Sequence, residues 1–196
     1  MIISTGMATV AELDVTVRAA RAAGCADLVL LKCTSTYPAS PENTNISTIP
    51  HMRELFDCQI GLSDHTMGTG VSVAAVALGA VAVEKHFTLA RADGGVDSAF
   101  SLEPAEFAAL VTETKRAWQA LGKVSYGPTS AEAASLKYRR SLYIVEDMRA
   151  GEKLTEKNLR RIRPGYGLPP AHYEEVLGRA VTRDVGRGTP LTWDLL

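Results

Sequence analysis

Aromatic side chains are scarce in this 196-residue chain, at 6% of the total. That leaves little surface on which nucleic-acid bases could stack. An excess of one charge is also lacking. The net charge of -1 at pH 7 gives no electrostatic reason to expect nucleic acid or an anionic membrane as a partner. Cysteines number three, and Cys25, Cys33 and Cys58 form no C-x-x-C pair. Buried reduced thiols in a cytoplasmic protein are expected, not a disulfide framework or a zinc site. No apolar run reaches the roughly 18 residues of a membrane span. The N-terminus has no charged segment before its apolar start, so no signal peptide is expected.

What is present is an alternation of short apolar runs and helical patterns from Met1 to about Gly122. Runs beginning near residues 2, 27, 58 and 80 read as buried strands of a parallel sheet. Thr9-Val10-Ala11-Glu12 has the spacing of a capping box, and its helix should stop at Gly24. Further helices are expected over 49–56, 70–78 and 104–121, the last with Pro104 in its first turn. The third strand is expected to end at Leu62. Strand spacing of this kind marks βα units with right-handed crossovers. Four units are half of a (β/α)8 barrel, whose complete form takes about 250 residues. An open four-stranded sheet is the alternative.

After Gly122 the texture changes. Residues 123–134 are small and polar and read as a linker. Residues 135–196 have short alternating runs broken by turns, as in a small β-rich domain. Within it, 150–155 (AGEKLT) and 187–192 (RGTPLT) share the pattern x-Gly-x-x-Leu-Thr, which reads as two related corners.

The chemistry clusters just past the strands, at the sheet edge where parallel α/β folds place their sites. Gly61-Leu62-Ser63-Asp64-His65-Thr66 follows the third strand and Glu84-Lys85-His86-Phe87-Thr88 the fourth. Two histidines delivered to one rim by neighbouring strands could share a divalent metal, or be ordinary half-buried histidines. Ser4-Thr5-Gly6, Thr34-Ser35-Thr36-Tyr37 and Ser63 offer hydroxyls and backbone N–H groups to a phosphate or carboxylate. The loop 93–98 reads as a lid or as a plain turn. Arg163, before Pro164-Gly165, could clamp a carboxylate or sugar.

Taken together, STGM at 4–7, CTSTYPAS at 33–40, GLSDHT at 61–66, EKHFTL at 84–89 and RPGYG at 163–167 resemble the sialic acid synthase family. GGVDSAFSLEP at 94–104 is most similar to its pseudaminic acid branch. The resemblance implies a (β/α)8 barrel over 1–122, here only its second half, and a linker over 123–134. An SAF (antifreeze-like, β-clip) domain over 135–196 follows. It implies condensation of phosphoenolpyruvate with an N-acetylated amino sugar to a nine-carbon acid and phosphate. His65 and His86 then correspond to ligands of a divalent ion, Mn or Mg, and with Asp97 to the catalytic set. Ser4 and Ser63 correspond to phosphoenolpyruvate contacts, as does Ser35, which stands where relatives often have Asn. Tyr37 and Asp97 correspond to residues near the sugar. Arg163 corresponds to an arginine lent to the partner subunit's sugar site in a domain-swapped homodimer. The family's first four βα units, with their lysines and glutamates, have no counterpart. Residual activity and self-association are therefore expected of the chain alone. N-acetylneuraminate synthase and a non-catalytic sugar- or phosphate-binding fragment are the other readings.

Overall fold

An apolar run followed by a helix recurs four times in the first half of the chain. The computed structural model, which describes residues 1–196, lays these units side by side. Strands β1 (Ile2–Ser4), β2 (Val29–Cys33), β3 (Gln59–Asp64) and β4 (Val83–Lys85) form one parallel sheet in the order β1-β2-β3-β4. Helices α1 (Val10–Ala22), α2 (Thr48–Phe56) and α3 (Gly70–Ala77) connect them, and α4 (Pro104–Leu121) follows β4. Sequential order with parallel neighbours is the arrangement of consecutive units in a (β/α)8 barrel, here half of one. The outer edges of β1 and β4 have no strand partner.

Local signals place most boundaries. Glu12 N–H donates to Thr9 Oγ1 while Thr9 N–H donates to the Glu12 carboxylate, the reciprocal cap that starts α1. Gly24, at φ +86°, ends it. Pro104 opens α4, whose first turn is closed by Glu103 and Glu106. Some expected boundaries move. Strands β2 and β4 begin at Val29 and Val83, later than the runs near 27 and 80. Strand β3 continues past Leu62 to Asp64, because Ser63 and Asp64 pair in register with Glu84 and Lys85.

Alternation then sorts the strand residues. Leu30, Ile60 and Leu62 pack against Leu13 and Val17 of α1, Ile49, Met52 and Phe56 of α2, and Ala75 of α3. Full burial of each large side chain contributes about 1.5–3 kcal/mol. Leu31, Gly61 and Ser63 point to the opposite face. The chain divides into two compact units, Met1–Val124 and Ser125–Leu196.

In the second unit a 3-10 segment, Ser130–Tyr138, occupies the end of the stretch expected to be linker, with Thr129 and Glu132 capping it. An antiparallel pair, β5 (Ser141–Ile144) and β6 (Leu159–Ile162), and a short helix, α5 (Tyr173–Val176), complete the regular structure. Elsewhere isolated bridges, Met148 to Val185 and Lys153 to Ala180, tie the turns together. Leu142, Ile144, Leu154, Leu159, Val176, Val181 and Leu191 form its core.

The x-Gly-x-x-Leu-Thr repeat is structural. Gly151 and Gly188 both sit at φ +88°, a conformation that favours glycine. Their surroundings match bond for bond. Gly151 N–H donates to Val181 O at 2.7 Å, and Gly188 N–H to Ile144 O at 2.8 Å. Leu154 N–H reaches Arg179 O and Leu191 N–H reaches Leu142 O, both at 2.9 Å. Asp184 accepts from Ala150 N–H at 2.8 Å, and Asp147 from Arg187 N–H at 2.7 Å. The unit therefore has an approximate two-fold axis.

Candidate metal and substrate site

The β3–β4 register builds the site. Ser63 stands opposite Glu84 and Asp64 opposite Lys85. Side chains alternate along a strand, so the next positions, His65 and His86, return to the face that carries Ser63 and Glu84. Their ring centroids are 5.1 Å apart, inclined at 74°. Tyr37 packs against both, at 4.4 Å from His65 and 5.9 Å from His86. Phe100, buried in the 3-10 turn after Asp97, lies 5.1 Å from His86 and 6.0 Å from Tyr37.

Each histidine has one nitrogen already engaged. His65 Nδ1 is 2.9 Å from Thr34 O. A carbonyl only accepts, so Nδ1 carries the proton and Nε2 keeps its lone pair. His86 Nδ1 faces the Asp97 carboxylate at 3.5 Å, which favours the same tautomer. A backbone carbonyl or carboxylate behind Nδ1 is how proteins orient imidazole toward a metal. With metal–nitrogen bonds of about 2.1 Å, two imidazoles on one ion stand about 5 Å apart, centre to centre. The donor set thus fits a divalent cation bound through two nitrogens. No group of three or more His, Cys, Asp or Glu side chains is arranged to hold an ion. The other coordination positions would fall to water or substrate oxygens, as suits Mn or Mg.

The anion-facing side is less finished. Ser4 is exposed at the end of β1. Ser35 lies beside the Gly6 turn, with Oγ 3.6 Å from Cys33 Sγ. Thr5, next to Ser4, is buried and accepts from Cys33 N–H at 3.1 Å. Ser63 O–H donates to Glu84 Oε1 at 2.7 Å, so donation to a bound anion requires that hydroxyl to turn. Neither neighbouring lysine is free. Lys32 Nζ donates to Thr34 Oγ1 at 2.7 Å and Cys33 O at 3.1 Å. Burial pushes its ammonium below the usual lysine range, against a smaller upward pull from Cys33. Lys85 is locked to Asp64 at 2.8 Å, with both side chains at most 1% exposed.

The structure therefore brings together Ser63, His65, His86, Tyr37 and Asp97, with Ser4 and Ser35 on the adjoining strand ends of the same sheet. Arg163 belongs to the second unit, where it lines a small cavity with Arg140, Arg161 and Ile162. The loop 93–98 is tied at both ends. Arg91 pairs with Glu106 and takes in the Glu103 carboxylate, and Ser101 Oγ donates to Asp97 O at 2.7 Å. Glu84, Phe100 and the Asp64–Lys85 pair were not singled out from the sequence. Counting by twos along both strands would have put Glu84 beside Ser63 and set Asp64 and Lys85 on the helix side.

Known proteins match both units of the chain. The NeuB family model matches residues 1–126, and the SAF domain model matches residues 139–196. Pseudaminic acid synthase of Campylobacter jejuni is 42% identical over 97% of this chain and 55% of its own length. N,N'-diacetyllegionaminic acid synthase of the same species is 36% identical over 94% of this chain and 56% of its own length. The chain thus spans about half the length of the curated relatives it matches. Among solved structures, the spore coat polysaccharide biosynthesis protein SpsE of Bacillus subtilis aligns over 100% of this chain and 61% of its own. Its TM-score is 0.59 at 32% identity. N-acetylneuraminic acid synthetase of Leptospira borgpetersenii, in complex with citrate, aligns over 70% and 48% with a TM-score of 0.62 at 36% identity. No helix is long and apolar enough to cross a membrane. With a half-barrel that carries two converging histidines and a C-terminal SAF domain, the chain belongs to the NeuB family of sialic acid synthases.

Proposed function

We propose that this chain provides the metal- and sugar-binding end of a nonulosonic acid synthase of the pseudaminic type. Such an enzyme joins phosphoenolpyruvate to an N-acetylated amino sugar, giving a nine-carbon acid and phosphate. The observation that carries the reading is the pair His65 and His86, held side by side with Nδ1 of each facing an acceptor. A divalent ion on their Nε2 atoms would act as a Lewis acid toward the aldehyde of the open-chain sugar. Tyr37 forms an aromatic wall against which that sugar would lie. Asp97, half-exposed beside His86, holds the imidazole and is placed to accept a sugar hydroxyl. Ser4, Ser35 and Ser63 present hydroxyls to the carboxylate and phosphate of phosphoenolpyruvate. In the reaction, C3 of phosphoenolpyruvate forms the new bond to the aldehyde carbon. Water adds at C2, and the C–O bond to phosphate breaks. Arg163 is the guanidinium that the SAF domain would offer to a sugar hydroxyl or N-acetyl oxygen in a domain-swapped dimer.

The pseudaminic reading is preferred to N-acetylneuraminate synthase because pseudaminic acid synthases match the chain at 37–42% identity. The test is a chimera. Residues 1–196 replace the matching stretch of the Campylobacter jejuni pseudaminic acid synthase, and phosphate release is followed with phosphoenolpyruvate and either the pseudaminic precursor sugar or N-acetylmannosamine. Metal-dependent release with the pseudaminic precursor, lost on His65→Ala, is expected. A folded chimera that releases phosphate equally well with His65→Ala, or not at all, would overturn the reading. Preference for N-acetylmannosamine would move the assignment to N-acetylneuraminate synthase.

A further inference from the structure

The most completely buried ion pair in the half-barrel, Asp64 with Lys85, lies on the far side of the strands from the histidines. Asp64 accepts four hydrogen bonds. Oδ1 takes Thr66 N–H at 2.8 Å and Thr66 Oγ1 at 2.7 Å. Oδ2 takes Ser72 Oγ at 2.6 Å and Lys85 Nζ at 2.8 Å. Lys85 also donates to Thr66 O at 2.6 Å. Burial alone would raise the Asp64 carboxyl, but the donors from Lys85, Ser72 and Thr66 outweigh it and leave it below the ordinary aspartate range. An ion pair this dry adds little stability, since desolvation of both charges offsets their attraction, and apolar replacements are often as stable. Its presence calls for another explanation.

Position supplies one. Asp64 and Thr66 flank His65, and Lys85 precedes His86. Lys85 thus holds both peptide neighbours of one histidine while fixing the backbone that delivers the other. The β3–β4 ladder it spans pairs only three positions, Leu62 with Val83, Ser63 with Glu84, and Asp64 with Lys85. So short a ladder discriminates weakly among registers. A slip of one residue would turn His86 to the helix side, and any slip would leave a buried ammonium or carboxylate without its partner, a heavy cost. We propose that the Asp64–Lys85 pair, with Thr66 and Ser72, is a positioning device that locks β3 against β4 so that His65 and His86 converge. The device touches neither substrate nor metal. It rests on the metal reading above only for its purpose.

The test separates the two ideas. In the metal-free chain, long-range nitrogen–proton NMR of the imidazoles reports tautomer and environment, and Mn(II) titration followed by EPR reports affinity. The double variant Asp64→Asn/Lys85→Met should keep its far-UV CD and cooperative melt. It should lose the single Nδ1–H tautomer of His65 and bind Mn(II) about 10–100-fold more weakly, the usual range when groups supporting a metal ligand are removed. Ser72→Ala, which removes one donor from Asp64, should shift the same imidazole signals to a smaller extent, and Ser72→Thr should restore them. Should the double variant not fold, the Ser72 pair decides. Unchanged imidazole signals in a folded double variant, or in folded Ser72→Ala, would overturn the proposal. If the parent chain bound no Mn(II), the metal reading would fall, and the positioning role would be judged on the metal-free imidazole signals alone.

Discussion

Gly61 is closely packed between its neighbouring strands, and adding a methyl group there tests the packing that sets the site. A Cβ at this position would stand 2.5 Å from Leu31 Cδ2 and 2.6 Å from Ala82 O, well inside the roughly 3.5–4.0 Å of a favourable carbon contact. Neither neighbour yields easily. Leu31 is 2% exposed, so its methyl has no free space to turn into. Ala82 O accepts Leu62 N–H at 2.9 Å, so displacing it stretches the β3–β4 ladder itself. Overpacking of this kind costs about 1–3 kcal/mol, a large part of the 5–15 kcal/mol typical of a domain. Gly61→Ala should lower the urea midpoint measured by far-UV CD without changing the m-value. The parting of β3 and β4 should also weaken Mn(II) binding, since the two histidines ride on those strands. Gly70→Ala is the control. Its added carbon meets nothing within 4 Å at the start of α3, and helix propensity favours alanine there by up to about 1 kcal/mol. Gly61→Ala with the parent's urea midpoint would refute the packing argument.

Three other outcomes are expected. His65→Ala and His86→Ala should each reduce Mn(II) affinity by at least about tenfold in an EPR titration while leaving the melt cooperative. Equal affinity in both variants would remove the site. The 196-residue chain assayed alone with Mn(II), phosphoenolpyruvate and the pseudaminic precursor should release phosphate only slowly, because Lys32 and Lys85, the two lysines on the strands, are both committed to internal partners and so neither is free for the substrate anions. Turnover typical of enzymes, abolished by His65→Ala, would show that the half-barrel suffices. Glu106, held to about 2 by hydrogen bonds from Arg91 and then the Glu103 N–H, has a depressed folded value. Its contribution to stability is present above its ordinary 4.5 and is lost as pH falls toward 2. Glu106→Gln should flatten the dependence of the melting temperature on pH across that window, and an unchanged slope would count against the Arg91 linkage.

Much of this was legible in the chain because it is local. The Thr9–Glu12 cap, Pro104 at the start of α4, Gly24 and Gly79 after helices, and the apolar runs of the strands each announce themselves within a few residues. The meeting of His65 and His86 was legible too, since both follow strands by the same offset. What escaped depends on pairing between strands. Alternation alone puts Asp64 and Lys85 on the helix side, but that they meet as an ion pair is fixed by register, which no single run encodes. The commitment of Lys85 to Asp64, 21 residues away, likewise follows from a tertiary contact, whereas Lys32 is held by its own neighbours Cys33 and Thr34. In the second unit the run at 141–145 does form a strand, over Ser141–Ile144, but with all four residues buried instead of alternating, and most other pairings there exist only as isolated bridges.

The matched corners of the second unit carry a consequence for how it comes apart. Asp147 caps the turn at Arg187, 40 residues away, and Asp184 caps the turn at Ala150, 34 residues away. Each half of the sequence is therefore finished by the other, like two hooks that close only when engaged. Neither hook retains its shape after the other opens, so fraying cannot begin at one end and stop halfway. The join between them, 164–170, is clasped by both: the Leu168 carbonyl accepts Leu142 N–H at 2.9 Å and its N–H donates to Leu191 O at 2.7 Å, so opening either hook loosens the join as well.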